Sequence, residues 1–294
     1  MLWSENDPLA QASVTAFTHG LERFGWVDGR NIRLDSRVVA DDPALFKSNA
    51  VELVQLSPDA ILASTPPAIV ALHQQTATIP IVFVLAADPV GLGLVQSLAR
   101  PGTNITGVGA IDPPIMGKWL QLLKEIAPSV TRVALIFKPD TQPYAGLFSR
   151  AIDAATASFR VTVTLAPVRD DATIEETIAT QARVSGGGLI SLPDSFKTNY
   201  RDVIIAEAAR HRLPLMGAGD AFPRAGGLIS YWFNPVDLHA QAAYYIDRIL
   251  KGANPADLPV GQPTKFSLVI NLKTAKALGF TVPRRMLLAD KVID

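Results

Sequence analysis

The residues able to do chemistry sit in short loops that follow apolar runs. Trp3, Ser4 and Asp7 follow the first run, and Ser64, Thr65 and Pro66 follow a later one. Ala87 and Asp88 come just after Ile81-Val82-Phe83-Val84-Leu85. Further along, the same kind of place is held by Pro139 and Asp140 with Tyr144 close behind, by Asp194 and Ser195, by Gly219 and Asp220, and by Tyr231. These are hydroxyls, carboxylates, glycines and aromatics that open onto predicted helix N-termini. Free N–H groups and the helix dipole favour a carboxylate or phosphate there. Each Asp either caps the next helix or binds a ligand ammonium. Ser64 and Thr65 either cap a helix predicted over 67–75 or hold an anion. The loop aromatics either stack on a ligand or anchor the core.

Reaction chemistry finds no comparable foothold. The chain lacks cysteine, which excludes disulfides, thiolate catalysis, Cys-bound zinc and iron–sulfur clusters. His19, His73, His211 and His239 are far apart and lack metal-ligand spacing, so each is read as a surface or packed residue. Gly91-Leu92-Gly93 and Gly107-Val108-Gly109 lack the third glycine of a dinucleotide fingerprint, with Gln96 and Asp112 in its place. Neither a phosphate loop, a Gly-x-Ser-x-Gly elbow nor a His-Glu-x-x-His helix occurs. The expectation is a protein that binds without catalysing, and that needs no cofactor.

Composition narrows the partners. Lys plus Arg and Asp plus Glu both number 27, so the formal net charge is zero. Nucleic acid and anionic membranes both ask for a positive surplus, and neither is expected as a partner. Hydrophobic residues at 48% against 18% charged residues give ample core and exclude disorder. The longest uncharged stretch, 60–87, is broken by Pro66, Pro67 and Pro80, so it does not read as a membrane span. The opening residues show neither a basic start nor an apolar run, so an export signal is not visible in this chain.

The loops need a scaffold, and the hydropathy pattern supplies one. Strands are predicted over 31–39, 59–63, 80–85, 105–109, 132–137, 161–166, 188–192, 214–216, 227–231 and 266–270. Several are apolar throughout, the mark of parallel strands covered on both faces. Helical stripes lie between them: Phe17, Leu21 and Phe24; Met116, Leu120 and Leu123; Leu238, Ala242, Tyr245 and Ile249. Asp7-Pro8 and Asp88-Pro89 read as an N-cap followed by a first-turn proline. Gly25, Gly252 and Gly279 read as left-handed residues ending helices. Trp26 and Trp119 read as packing residues. The alternation resets once, with turn-rich crossings near 101–114, 231–235 and 261–264.

The predicted fold class is therefore α/β, two doubly wound Rossmann-like lobes joined by about three hinge crossings. Lobe one takes 1–108 and 233–262, and lobe two takes 109–232 and 263–294. The cleft between the lobes is the expected ligand site.

Long stretches resemble a known family. They are Gly20-Leu21 with Gly25-Trp26-Val27-Asp28-Gly29-Arg30-Asn31, Thr78–Phe83 with Asp88-Pro89-Val90-Gly91, Ser97–Gly107, Lys118–Lys124 and Lys265–Lys276. The chain resembles ABC-transporter substrate-binding proteins related to tryptophan and tyrosine uptake, which have the type I periplasmic-binding-protein fold. The resemblance implies a periplasmic or other extracytoplasmic monomer that closes on a small carboxylate-bearing solute, such as an aromatic amino acid. It implies delivery to an ABC permease and ATPase complex. A ligand-sensing module of a signalling system with the same fold is the alternative. Two departures are noted. Met1-Leu2-Trp3 offers only the end of the family's first strand. Met216-Gly217-Ala218-Gly219 is smaller than the aromatic-rich segment expected there, which implies a larger pocket.

Overall fold

Ile61-Leu62-Ala63-Ser64 and Ile81-Val82-Phe83-Val84 are buried at every residue. Runs of this kind have no polar face to offer water, so they take interior places in a sheet with helices on both sides. A computed structural model describes residues 1–4, 9–39, 43–86, 88–109, 115–140, 145–193 and 198–294. The chain divides into two compact units, Met1–Asp112 with Asn234–Thr264, and Pro113–Phe233 with Lys265–Asp294. The backbone passes from one to the other three times.

The first unit begins with β1 (Leu2–Ser4), α1 (Ala10–Arg23), β2 (Arg37–Val39) and α2 (Pro43–Gln55). It continues with β3 (Ile61–Ser64), α3 (Pro66–His73), β4 (Ile81–Val84) and β5 (Ile105–Val108). The second unit holds α4 (Ile115–Ile126), β6 (Arg132–Phe137), α5 (Ala145–Phe159) and β7 (Thr162–Pro167). It goes on through α6 (Asp171–Ala182), β8 (Gly187–Ser191), α7 (Thr198–Arg210) and β9 (Leu215–Gly217). A short α8 (Ala221–Arg224) and β10 (Ile229–Trp232) follow. The chain then returns to the first unit as α9 (Pro235–Leu250). It ends in the second with β11 (Ser267–Asn271), α10 (Leu272–Ala277) and β12 (Lys291–Ile293).

The first sheet has the order β2-β1-β3-β4-β5, with every pair parallel. Its core gathers Leu2, Phe46, Leu53, Leu72, Phe83 and Ile105. The three residues of β1 lie between β2 and β3 and pair with both. Leu2, a remnant of a strand by sequence, is fully buried there. The second sheet has the order β12-β11-β10-β9-β8-β6-β7. Ile136, Ile174, Ile178, Leu189, Ile204 and Leu215 build a core beside it. Its pairs are parallel except β10 with β11. Neither that reversal nor β12 is predicted, because a two-residue side-chain period carries no direction.

Both sheets put their first strand between the second and the third. The switch points where strand order reverses are therefore β1/β3 and β6/β8, and ligands of such sheets bind beyond the strand ends at those points.

Two predicted elements are corrected. Of 31–39 only Arg37–Val39 is strand. The preceding residues form a loop fixed by side chains. Asn31 Oδ1 accepts the Val27 N–H at 2.7 Å, Asn31 Nδ2 donates to the Gly25 carbonyl at 2.8 Å, and Asp28 accepts the Leu34 N–H at 2.9 Å. Asp88-Pro89 starts a turn instead of a helix: Asp88 Oδ1 accepts the Gly91 N–H at 2.9 Å, and Asp88 and Gly93 have φ of +42° and +69°. The other predicted cap, Asp7-Pro8, lies outside the described residues. Gly25, Gly252 and Gly279 do end helices, at φ of +89°, +92° and +78°.

Helix α9 packs along α1 through a close contact at Gly20. A Cβ added there would stand 2.6 Å from Ala243 Cβ and 3.0 Å from the Ala240 carbonyl oxygen. Gly20→Val is expected to destabilise the first unit by about 1–3 kcal/mol through forced separation of the two helices. A fall in the urea midpoint at unchanged slope checks this, and an unchanged midpoint would contradict the contact.

Candidate functional site

In the first unit the loops at the switch point leave β1 at Ser4 and β3 at Ser64. Trp3 and Ser4 lie in β1, but their side chains, like Asp7 and Ala87, fall outside what the structure describes. Ser64, Thr65 and Pro66 come together as the end of β3, the N-cap of α3 and its first helical residue. Asp88 spends one carboxylate oxygen on its own turn.

Thr65 is the unusual residue. It has φ +94° and ψ 144°, a conformation nearly reserved for glycine and costing a β-branched residue on the order of 1–3 kcal/mol. Its side chain makes no cap bond, and its buried Oγ1 has no hydrogen-bond partner among the described residues. Pro66 and Pro67 contribute no N–H to the first turn. The Ile69 N–H goes to the Thr65 carbonyl at 3.1 Å. That leaves the Ala68 N–H as the first-turn amide with no backbone acceptor among the described residues. An unspent hydroxyl and an unspent amide at a helix N-terminus suit an anionic oxygen.

Ser64 is occupied. Its Oγ lies 2.9 Å from Nε2 of His239, which is fully buried on α9. The Nδ1 of His239 lies 2.8 Å from the Pro235 carbonyl. Burial pushes the His239 pKa down from 6.5 to about 4, with the bond to Pro235 acting weakly in the opposite sense. Sequence reading has His239 packed, which it is, but misses the partner. The two residues are 175 positions apart, and only their shared place on α9 and β3 joins them.

In the second unit β6, β8 and β9 end side by side, at Phe137, Ser191 and Gly217. Pro139 and Asp140 form the turn after β6, and Asp140 accepts a hydrogen bond from Arg169 at 3.2 Å. Gly219 and Asp220 lead from β9 into α8. Burial raises the Asp220 pKa, but hydrogen bonds from Lys291 at 3.1 Å and Arg224 at 3.3 Å outweigh it, and the carboxyl lies below its usual range. Both described carboxylates are thus met by cations of their own unit. Tyr144, Asp194 and Ser195 lie outside the described residues.

Tyr231 is part of an aromatic group at the end of β10. Its ring stacks on Phe266 at 5.2 Å and 13°. Its carbonyl accepts the Trp119 indole N–H at 2.8 Å, and Trp119 meets Trp232 edge to face at 5.6 Å. The room expected from the small residue Gly217 is already filled, since a Cβ there would come within 2.4 Å of the Phe222 ring.

Sequence reading also misses Ser191. It is the last residue of β8, as Ser64 is of β3, and its buried Oγ has no partner among the described residues. The signal available is a serine closing an apolar run just before proline, at Ser64-Thr65-Pro66 and again at Ser191-Leu192-Pro193. Among the described residues no cluster of His, Cys, Asp or Glu could hold a metal, and no helix is long and apolar enough to cross a membrane.

The first unit thus presents two unspent donors at the start of α3, and the second a stacked pair of rings at the end of β10. Comparison with known proteins identifies the class. The family model described as ABC transporter substrate binding protein matches residues 5–293. The chain belongs to that family. A curated relative, a tyrosine-binding protein of Clostridioides difficile, is 24% identical over 92% of this chain and 77% of its own. A solved conserved domain protein from Vibrio cholerae is 27% identical, covers 99% of this chain and 98% of its own, and has a TM-score of 0.89. A structure from Streptococcus pneumonia in complex with L-Trp is 24% identical over 99% of this chain and 98% of its own, with a TM-score of 0.86. The two α/β units are those of a type I periplasmic binding protein, and this substrate-binding protein is a small-molecule receptor and not an enzyme.

The buried imidazole makes stability depend on pH. Its folded pKa of about 4 lies below the ordinary 6.5, so between these values the unfolded chain takes a proton that the folded chain refuses. The contribution of neutral His239 is complete above pH 6.5 and is lost as pH falls towards 4, by up to about 3 kcal/mol. The difference in unfolding free energy between the wild type and His239→Gln is expected to shrink over that window. A constant difference from pH 7 to pH 4 would contradict a neutral buried ring.

Proposed function

We propose that this substrate-binding protein is the extracytoplasmic receptor of an ABC importer, working as a monomer and delivering an aromatic amino acid to a membrane permease and its ATPase. The relatives named for tyrosine and bound to L-Trp support that solute class. The observation that carries the reading is Thr65, a strained residue with a buried, unspent hydroxyl at the N-terminus of α3. Strain of this kind persists where the surroundings impose it, and binding sites are where it gathers.

In this reading the solute carboxylate accepts from Thr65 Oγ1 and the Ala68 N–H, helped by the dipole of α3. In the second unit the stacked rings of Tyr231 and Phe266 offer a surface of the kind that an aromatic side chain packs against. Trp3 and Ser4, at the end of β1, and Asp7, Ala87, Tyr144, Asp194 and Ser195, by their sequence positions after the strands, are proposed as further ligand-binding residues of their units. Asp140 and Asp220 serve as electrostatic neighbours, because Arg169, Lys291 and Arg224 already hold them.

Isothermal titration of L-tyrosine and L-tryptophan tests the reading. Wild-type protein is expected to bind at least one, with D-enantiomers and decarboxylated amines binding far more weakly. Thr65→Gly is expected to keep or raise the melting temperature by removing strain, while weakening binding about 10- to 100-fold through loss of a hydrogen bond to a charged group. Folded wild-type protein that binds neither amino acid would overturn the proposal, as would full affinity in Thr65→Gly.

A further inference from the structure

The Ser64 to His239 bond has a direction, and the direction constrains the loop that follows. The Pro235 carbonyl can only accept, so His239 Nδ1 carries a proton. A neutral ring then presents Nε2 as an acceptor, and the Ser64 hydroxyl must donate to it. Ser64 has one proton to give and gives it inside the protein. A solute carboxylate at this point finds its donor one residue on, at Thr65, whose hydroxyl is unspent.

Ser64 and Thr65 are consecutive, and the φ of +94° at Thr65 has to be imposed from outside that residue. On its C-terminal side Thr65 is fixed by Pro66 and by the Ile69 N–H on its carbonyl. On its N-terminal side the residue fixed in place is Ser64, held by β3 and by the imidazole on α9. The ring is held in turn by the first turn of α9.

We propose that His239 is a positioning residue for the solute: through Ser64 it keeps Thr65 in the strained conformation that leaves Thr65 Oγ1 and the Ala68 N–H free for a carboxylate. The proposal rests on the solute reading above. It adds a residue outside the strand-end loops, one that acts through Ser64 without touching the ligand.

A double-mutant cycle tests it, using Ser64→Ala, His239→Leu and both together in the full chain, with His239→Gln as the conservative replacement. L-Tryptophan and L-tyrosine are titrated into each, and amide hydrogen exchange is followed without ligand. Each single change is expected to weaken binding about tenfold, and the pair little more than either alone, because both break one link. Thr65 and Ala68 amides are expected to exchange faster in Ser64→Ala and His239→Leu, and His239→Gln to recover most of the affinity by accepting from Ser64. Variants with lower melting temperatures but wild-type affinity and wild-type exchange at Thr65 and Ala68 would overturn the proposal and leave His239 a packing residue. Additive losses in the double variant would also overturn it. If His239→Leu fails to fold, Ser64→Ala carries the same expectations by itself. If wild type binds neither amino acid, the solute reading fails, and unchanged exchange at Thr65 in Ser64→Ala then separately overturns the anchor.

Discussion

A carbonyl that can only accept sets the polarity of the first unit's strand-end chemistry. The Pro235 oxygen fixes the proton on one side of His239, and the Ser64 hydroxyl is committed to the other. The consequence is a division of labour between neighbouring hydroxyls. Ser64 is internal wiring, and the buried Thr65 hydroxyl has no partner among the described residues. The pair Pro66-Pro67 sharpens this further, since an ordinary first turn would display several amides and this one keeps Ala68.

The same strand order appears twice, yet the two units have taken different chemistry. Each sheet closes its third strand in a buried serine at the switch point, Ser64 and Ser191. Beyond that serine the first unit offers donors on a helix end. The second offers carboxylates held by Arg169, Arg224 and Lys291, beside an aromatic group built from Trp119, Tyr231, Trp232 and Phe266.

Much of the fold was legible because burial on both faces leaves a plain mark. Runs such as Ile81–Val84 and Val133–Phe137 have no polar period, and they can only be interior strands. Glycines after helical stripes were legible for the same local reason, since Gly25, Gly252 and Gly279 need only their own φ. What depended on distant partners was hidden. One miss was local: Asp88-Pro89 has the letters of a helix start, but Gly91 and Gly93 close a turn instead. The antiparallel setting of β11 is a matter of which edge it reaches. At the site, the loops carrying Ser64 and Thr65 could be found from the strands that precede them. The contrast between the two hydroxyls could not, because it originates at His239 on a helix far along the chain.

The central claim is that a solute carboxylate satisfies the two donors left open beside Thr65. A crystal structure of the protein with L-tryptophan or L-tyrosine tests it most directly. The account predicts one carboxylate oxygen within hydrogen-bonding distance of Thr65 Oγ1 and the Ala68 N–H, with Ser64 still turned to His239. A bound amino acid whose carboxylate lies elsewhere, with the Thr65 hydroxyl still unbonded, would contradict it.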